Sequence, residues 1–259
     1  MTHFRLAVLG DPVEHSRSPA IHEAMLDLAG LDGTYERIRA DRGVLTRTVG
    51  ALRAGEWQGL NVTMPLKAAA AELADLLSPQ AELSHSVNTL VLDGDTVVGH
   101  STDSTAFRVL LQSDRFADIS SILLLGAGGS AAAAMAAIGG QRQVYVCSRR
   151  PESAENLTSA LGGAVVTWGT AVAGSLVINT TPLGMNREAL PGDVLSVAGG
   201  FIDLPYGNAP TPAMVEAGGL GLPRADGHEF LILQAIESFR LWTGVKTDYS
   251  ALRRAIRNV

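Results

Sequence analysis

A lysine and an aspartate near the starts of two predicted helices are the side chains best suited to catalysis. Lys67 falls in the first turn of a helix that opens at Pro65, where the positive end of the helix dipole disfavours an ammonium group. Asp103 begins another predicted helix, a position that stabilises a carboxylate. A lysine held by a carboxylate can accept the hydroxyl proton when an alcohol is oxidised to a ketone. They are candidate catalytic partners, although a surface lysine and a helix cap remain the alternatives for each residue alone.

Polar side chains that could bind a small substrate lie near two predicted strands. Asn61 and Thr63 are two residues apart in one strand, so their side chains point to the same face. Ser16 and Ser18 follow the first predicted strand and suit a carboxylate or a hydroxyl group. Ser18 is equally predicted to cap the next helix, in which Pro19 takes the first position.

A glycine-rich turn predicts a dinucleotide site. Gly126-Ala127-Gly128-Gly129-Ser130-Ala131 follows the apolar strand at 121–125 and opens an alanine-rich helix. Gly126 permits the tight turn, Gly128 lets a pyrophosphate approach the backbone, and Ala131 lets the helix lie close to the sheet. The alternative is a purely structural turn.

The residues after the next predicted strand favour NADP over NAD. About twenty residues beyond the glycines, where an NAD-binding domain places a carboxylate, the sequence reads Ser148-Arg149-Arg150. Arg149 and Arg150 could bind the 2′-phosphate of NADP, or they could simply be solvated. The segment 179–185 leaves another strand at the end where ligands collect in such sheets, although a plain loop explains it nearly as well.

These candidates need two α/β domains to position them. In the first hundred residues, strands at 5–10, 35–40 and 59–64 alternate with helices at 18–30, 44–53 and 66–77, and a hairpin over 88–99 makes the sheet mixed. From residue 121 onward, further strands at 144–148, 164–167, 176–179 and 201–204 predict a Rossmann-like doubly wound sheet. We expect a mixed-sheet substrate-binding and catalytic domain at 1–104 and an NADP-binding domain at 105–234. The last two predicted helices, at 230–242 and 248–257, should return the segment 235–259 to the first domain.

Composition narrows the function classes. The net charge of −6, with scattered Lys and Arg residues, argues against a nucleic acid partner. Cys147 is the only cysteine, so no internal disulfide forms, and it is predicted to lie in a buried strand. No segment approaches the ~18 apolar residues of a membrane span, and the N-terminal apolar run is too short for a signal peptide, so we expect no membrane and a cytoplasmic location. The six histidines show no metal-binding spacing, and His228 is predicted to be a helix cap or a packed residue.

Several motifs in a fixed order resemble the shikimate dehydrogenase family, which includes shikimate and quinate dehydrogenases. They cover nearly the whole chain: His15-Ser16-Arg17-Ser18-Pro19, Asn61-Val62-Thr63-Met64-Pro65-Leu66-Lys67, Val87-Asn88-Thr89, Thr102-Asp103, the glycine turn, 179–185 and Ala225-Asp226-Gly227. The resemblance implies reversible reduction of 3-dehydroshikimate to shikimate by NADPH, a step of aromatic amino acid biosynthesis.

The resemblance also implies roles for individual residues. Lys67 would be the general acid/base and Asp103 its partner. The substrate carboxylate would meet Ser16, Ser18, Thr63 and Tyr206, and the ring hydroxyls would meet Asn61, Asn88 and Gln234. NADP(H) would contact Gly126, Ala127, Gly128, Gly129, Ser130, Ser148, Arg149, Arg150, Thr180 and Gly227.

Three departures from the family pattern leave alternatives open. Ser101-Thr102-Asp103-Ser104 replaces the usual N-T-D-G, and Ala132 replaces an arginine after the glycines. The segment 227–232 is bulkier and more charged than the family's small-residue run, so quinate or an amino analogue of shikimate is an alternative substrate. A metabolite sensor that binds without turnover is an alternative function. The sequence leaves the protein a monomer or a homodimer.

Overall fold

A computed structural model describes residues 3–256 and divides them into two compact units. The first unit contains the described residues up to Thr105 and those from Leu231 onward, and the second is Ala106–Phe230. The returning segment therefore begins at Leu231 and not at 235, because Leu231 and Ile232 already pack in an apolar cluster of the first unit. The predicted end of the last helix, Arg257, lies outside the described residues.

The first unit is built on a mixed sheet with strand order β2-β1-β3-β5-β6-β4. Its elements, in chain order, are β1 (Phe4–Gly10), α1 (Ser18–Ala29), β2 (Gly33–Arg39), α2 (Arg42–Arg53), β3 (Gly59–Val62), α3 (Lys67–Leu73), β4 (Leu76–Leu77), α4 (Pro79–Ser84), β5 (Thr89–Asp93) and β6 (Thr96–His100). Helix α5 (Thr102–Leu111) begins in this unit and ends in the second. Strand β1 runs parallel to both β2 and β3, whereas β5 is antiparallel to β3 and β6. The predicted hairpin and mixed sheet are confirmed.

Two local predictions in this unit were wrong. Ser18 is the first residue of α1, and Arg17 holds the cap position without a side-chain capping bond. The helix predicted to reach residue 77 ends at Leu73, because Leu76 and Leu77 pair with β6 as a short parallel strand. The backbone N–H of Asp75, which donates to the Val97 carbonyl at 2.8 Å, begins this change from helix to sheet.

The second unit carries a parallel sheet with strand order β12-β11-β10-β7-β8-β9. Its elements are β7 (Ser121–Leu125), α6 (Gly129–Ile138), β8 (Gln143–Cys147), α7 (Pro151–Leu161), β9 (Ala164–Val165), β10 (Leu176–Asn179), β11 (Gly200–Asp203), α8 (Pro212–Gly219) and β12 (Arg224–Ala225). Cys147 is buried at the end of β8, as predicted. The doubly wound class is confirmed.

Two helices end the chain. Helix α9 (Gly227–Thr243) passes from the second unit into the first, and α10 (Tyr249–Ala255) is capped by Asp248 as predicted. Within the first unit, Phe239 of α9 and Leu252 of α10 pack with Met25 of α1 in one apolar cluster. These contacts hold the returning segment on the first unit.

Candidate active site

In the first unit the chain brings Lys67 and Asp103 together. Lys67 is the first residue of α3, and Asp103 lies in the first turn of α5. The Lys67 ammonium donates to Oδ2 of Asp103, and the two side chains are only 15% and 7% exposed. The pair is thus shielded enough to interact strongly, yet Lys67 keeps some access for a ligand.

Asn88 fixes the orientation of the aspartate. Its side-chain amide donates to Oδ1 of Asp103 at 3.0 Å and to the Thr102 hydroxyl at 2.8 Å. Its own Oδ1 accepts the backbone N–H of Thr102 at 2.7 Å. Asp103 therefore holds Asn88 with one oxygen and Lys67 with the other. The Asn88 amide also lies 3.3 Å from Oε1 of Gln234, so three predicted site residues meet directly.

Asn61 is committed to protein partners. Tyr35 donates its hydroxyl to Oδ1 of Asn61 at 2.7 Å. The two amide hydrogens face three acceptors, which are the Asn88 carbonyl, Thr89 Oγ1 and Ser238 Oγ at 2.9–3.1 Å. Since an amide oxygen has two lone pairs, a ligand hydroxyl could still donate to Oδ1.

A cluster of buried hydroxyls beneath these amides was not anticipated. Thr89, Thr102 and Ser238 lie within 2.9–3.1 Å of one another through their hydroxyl oxygens. Ser238 is separated from the other two by 149 and 136 residues, so local spacing gave no means of finding the contact. The only sequence signal was the position of Ser238, four residues after Gln234 and therefore on the same helix face as that predicted site residue.

The predicted carboxylate-binding residues of this unit follow two neighbouring parallel strands, β1 and β3, along the chain. Ser16 and Ser18 are in the segment after β1, and the Ser18 N–H donates to Ser16 Oγ at 3.3 Å. Thr63 directly follows β3, and its methyl group fits against Gly10, where an added Cβ would lie only 2.3 Å away. Gly10 must therefore remain small for the ends of β1 and β3 to pack in this way.

The glycine turn of the second unit has the geometry of an anion site. Gly126 has φ of 107°, a region that favours glycine, and an added Cβ would meet Thr180 Oγ1 at 2.6 Å. Gly128 is the cap of α6 and makes no side-chain capping bond, and an added Cβ there would meet open space. A phosphate can therefore approach the backbone at the start of α6, where Gly129 is the first helical residue and the positive end of the helix dipole favours an anion. The residues present fit a dinucleotide.

Other predicted cofactor residues lie at the same edge of this sheet. Ser148, Arg149 and Arg150 follow β8, which neighbours β7, and both arginines are exposed. Thr180 follows β10, the other neighbour of β7. Its backbone N–H and its hydroxyl both donate to the Leu125 carbonyl, at 2.9 and 2.7 Å.

Gly227 and Tyr206 lie in another part of the second unit. Gly227 cannot be replaced without movement, because an added Cβ would lie 2.2 Å from the Leu204 carbonyl oxygen. Tyr206 packs its ring on that of His228, with centroids 5.4 Å apart, and both residues line a cavity of about 500 Å³. His228 is thus a packed residue, one of its two predicted roles.

Residues 3–256 hold neither a cluster of metal ligands nor a membrane-spanning helix. Within that range, no three His, Cys, Asp or Glu side chains are grouped so as to hold a metal ion. No helix in the same range is long and apolar enough to cross a membrane.

The chain has full-length relatives. A protein named shikimate dehydrogenase (NADP(+)) from Exiguobacterium sibiricum is 33% identical over 258 residues, which cover 98% of this chain and 97% of the relative. The chain belongs to the shikimate dehydrogenase family. The family model described as the shikimate dehydrogenase substrate binding domain matches residues 8–90, and the one described as the shikimate 5′-dehydrogenase C-terminal domain matches residues 227–257.

Solved structures of this family share the fold. One is the shikimate 5-dehydrogenase of Thermus thermophilus in complex with NADP(H) and shikimate, with a TM-score of 0.88 and 33% identity. The match covers 98% of this chain and 99% of that structure. Both domains of the family are therefore present.

Proposed function

We propose that this protein is an NADP-dependent shikimate dehydrogenase, which reversibly reduces 3-dehydroshikimate to shikimate. The shielded ion pair of Lys67 with Asp103 carries the proposal, because it supplies the acid/base group that oxidation of an alcohol requires. The names of the full-length relatives support the same activity and cofactor. A cytoplasmic location fits such a biosynthetic role.

Lys67 acts as the general acid/base. When shikimate is oxidised, the neutral amine of Lys67 accepts the hydroxyl proton, and in the reverse direction the ammonium returns it. Asp103 holds the amine in place and shares a substrate hydroxyl with it, while Asn88 holds Asp103. NADP(H), when bound, supplies or accepts the hydride.

The remaining site residues bind and orient. In the first unit, Ser16, Ser18 and Thr63 receive the substrate carboxylate, and Asn61, Asn88 and Gln234 bind ring hydroxyls. Asn61 does so only as an acceptor, since its amide hydrogens face protein atoms.

The second unit binds NADP(H). The pyrophosphate is received by the turn of Gly126, Ala127, Gly128, Gly129 and Ser130. Ser148, Arg149 and Arg150 bind the 2′-phosphate, Thr180 borders the turn, and Gly227 lies near the nicotinamide.

The two lysines of the chain give a matched test. Lys67→Ala should lower kcat with shikimate and NADP⁺ by roughly 10²–10⁴-fold with little change in KM, because a general acid/base acts mainly in the transition state. Lys246 is the other lysine and is exposed, so Lys246→Ala should retain kcat within about twofold. Production of NADPH is followed by absorbance.

The same assay separates the alternatives. The assay should include quinate and amino analogues of shikimate as a substrate panel. The reason is that His228, in the segment that departs from the family pattern, lies beside Tyr206. Faster turnover of one of these would reassign the substrate. Ligand binding without turnover of any panel member would make the protein a sensor, and an unaffected Lys67→Ala variant would remove Lys67 from the mechanism.

A further inference from the structure

Asp203 is a buried carboxylate that none of the roles above uses. It ends β11, and its side chain is inaccessible to solvent. Oδ1 accepts the side-chain amide of Asn179 at 2.8 Å, and Oδ2 accepts the hydroxyl of Thr211 at 2.5 Å. Burial raises the pKa of Asp203 to about 6, although the bonds from Thr211 and Asn179 oppose this shift. Burial of a carboxylate costs free energy of desolvation, so its presence here suggests a functional role.

Asn179 transmits this constraint to the loop that follows β10. Its amide also donates to the Leu183 carbonyl at 3.0 Å, and its Oδ1 accepts the backbone N–H and the hydroxyl of Thr181 at 3.0 and 2.6 Å. Three hydrogen bonds thus tie residues 180–184 to one buried side chain. The loop begins at Thr180, which is itself bonded to Leu125 where the glycine turn starts.

The ionised form of Asp203 determines which way the Asn179 amide points. An ionised carboxylate can only accept hydrogen bonds, so Asn179 must present its NH₂ group to Asp203. Its oxygen is then left facing Thr181, whose N–H and hydroxyl both donate to it. The opposite orientation would place two oxygens face to face and two donors against Thr181 N–H. One charge therefore selects one orientation of the Asn179 amide, and with it the hydrogen bonds to Thr181 and Leu183.

We propose that Asp203 is a positioning residue for NADP(H), which acts through Asn179 to hold residues 180–184 as one wall of the dinucleotide site beside Gly126. The wall is close: an added Cβ on Gly126 would meet Thr180 Oγ1 at 2.6 Å and Thr181 Cγ2 at 3.1 Å. A loop freed from Asn179 would move directly at the turn that receives the pyrophosphate. The inference rests on the proposed NADP site of the second unit.

Titration of NADPH fluorescence tests this without any turnover. Asp203→Ala should raise the Kd for NADPH about tenfold or more, while kcat at saturating cofactor stays within about threefold. Asp203→Asn keeps one acceptor for Asn179 and should lose less. Thr211→Val is the matched control: it removes the bond to the other oxygen of Asp203 and the cap of α8, so it should lower stability but leave the Kd within about threefold.

The outcomes are distinct. Equal Kd values for Asp203→Ala and wild type, or equal increases in Asp203→Ala and Thr211→Val, would overturn the inference while the proposed function stands. Wild-type protein that binds no NADPH would overturn the proposed function and the inference with it. If Asp203→Ala does not fold, Thr181→Val, which deletes the hydroxyl's bond to Asn179 and the bond it accepts from the Leu183 N–H, should raise the Kd about threefold, and an unchanged Kd would overturn the inference.

Discussion

At the scale of single residues, Lys67 and Asp103 are shielded from solvent, so the pair depends on hydrogen bonds from neighbouring side chains. A buried ion pair is tolerated only when further hydrogen bonds satisfy the remaining lone pairs. Asn88 provides this for Asp103, and its own oxygen is held by the backbone N–H of Thr102. The Asp103 carboxylate is therefore oriented by a side chain that is itself fixed by the start of α5. Removal of Asn88 would disturb both substrate binding and the pair.

Arg149 offers a residue-scale test of cofactor choice. It is exposed after β8, and only NADPH carries the 2′-phosphate that its guanidinium would bind. We predict that Arg149→Ala raises the Kd for NADPH about tenfold and leaves that for NADH within about twofold, since a hydrogen bond to a charged group contributes about 1.5–3 kcal/mol. Fluorescence titration with both cofactors measures this. Arg47→Ala, on the exposed face of α2, is the control, and equal losses with both cofactors would refute NADP selection by Arg149.

At the scale of elements, helix α9 connects the side-chain amides of the candidate substrate site to the sheet of the first unit. Gln234, Ser238 and Trp242 are spaced four residues apart, so they lie along one face of the helix. Gln234 contacts Asn88, and Ser238 contacts Asn61. Trp242 donates its indole N–H to the Leu90 carbonyl at 3.0 Å. One helix face therefore positions several candidate ligands of the substrate at once.

Most helices and strands could be predicted from the sequence, but the contacts between them could not. Apolar periodicity located most strands and helices, but α4, α7 and α8 were missed although Pro79, Pro151 and Pro212 open them. Family motifs made Lys67 and Asp103 candidates, because residue types and their order along the chain can be compared without a structure. The bonds of Tyr35 and Ser238 to Asn61 depend on tertiary packing between segments far apart in the chain, which no local pattern encodes.

Tyr35 allows a test of whether strand β2 orients Asn61 in the candidate substrate site. Its hydroxyl, on β2, donates to Asn61 Oδ1 on β3 and so fixes the amide orientation. We predict that Tyr35→Phe raises the KM for shikimate several-fold (about three- to tenfold) with a smaller change in kcat, and costs about 1 kcal/mol of stability, as loss of one buried hydrogen bond does. Steady-state kinetics and urea unfolding measure both.

Tyr249→Phe is the control for the Tyr35 variant. Tyr249 lies on α10, where its hydroxyl accepts a bond from Arg253. An unchanged KM for shikimate in Tyr35→Phe would mean that Asn61 keeps its orientation through its amide donors alone.

At the scale of the whole molecule, the buried residue His22 makes the free energy of unfolding depend on pH. Its ring is fully buried in the first unit and stacks on Tyr35, with centroids 4.4 Å apart, and neither ring nitrogen has a hydrogen-bond partner among residues 3–256. Burial lowers the pKa of His22 to about 3. Between about pH 6.5 and 3, the unfolded chain therefore binds a proton that the folded chain does not, so stability rises with pH in that window.

We predict that the free energy of unfolding decreases more steeply in the wild type than in His22→Phe as the pH falls below 6.5. The difference between the two slopes should be about 1.4 kcal/mol per pH unit. Phenylalanine keeps the stacking and cannot be protonated, and any packing cost it adds is the same at each pH. Burial also lowers the pKa of His100, but His100 is present in both proteins and cancels in the comparison. Urea unfolding at pH 7.5, 6.0 and 5.0, followed by tryptophan fluorescence, measures the slopes. His15→Asn, at an exposed position, should leave the wild-type slope unchanged. Parallel curves for wild type and His22→Phe would mean that the folded protein accommodates a charged imidazole in this stack.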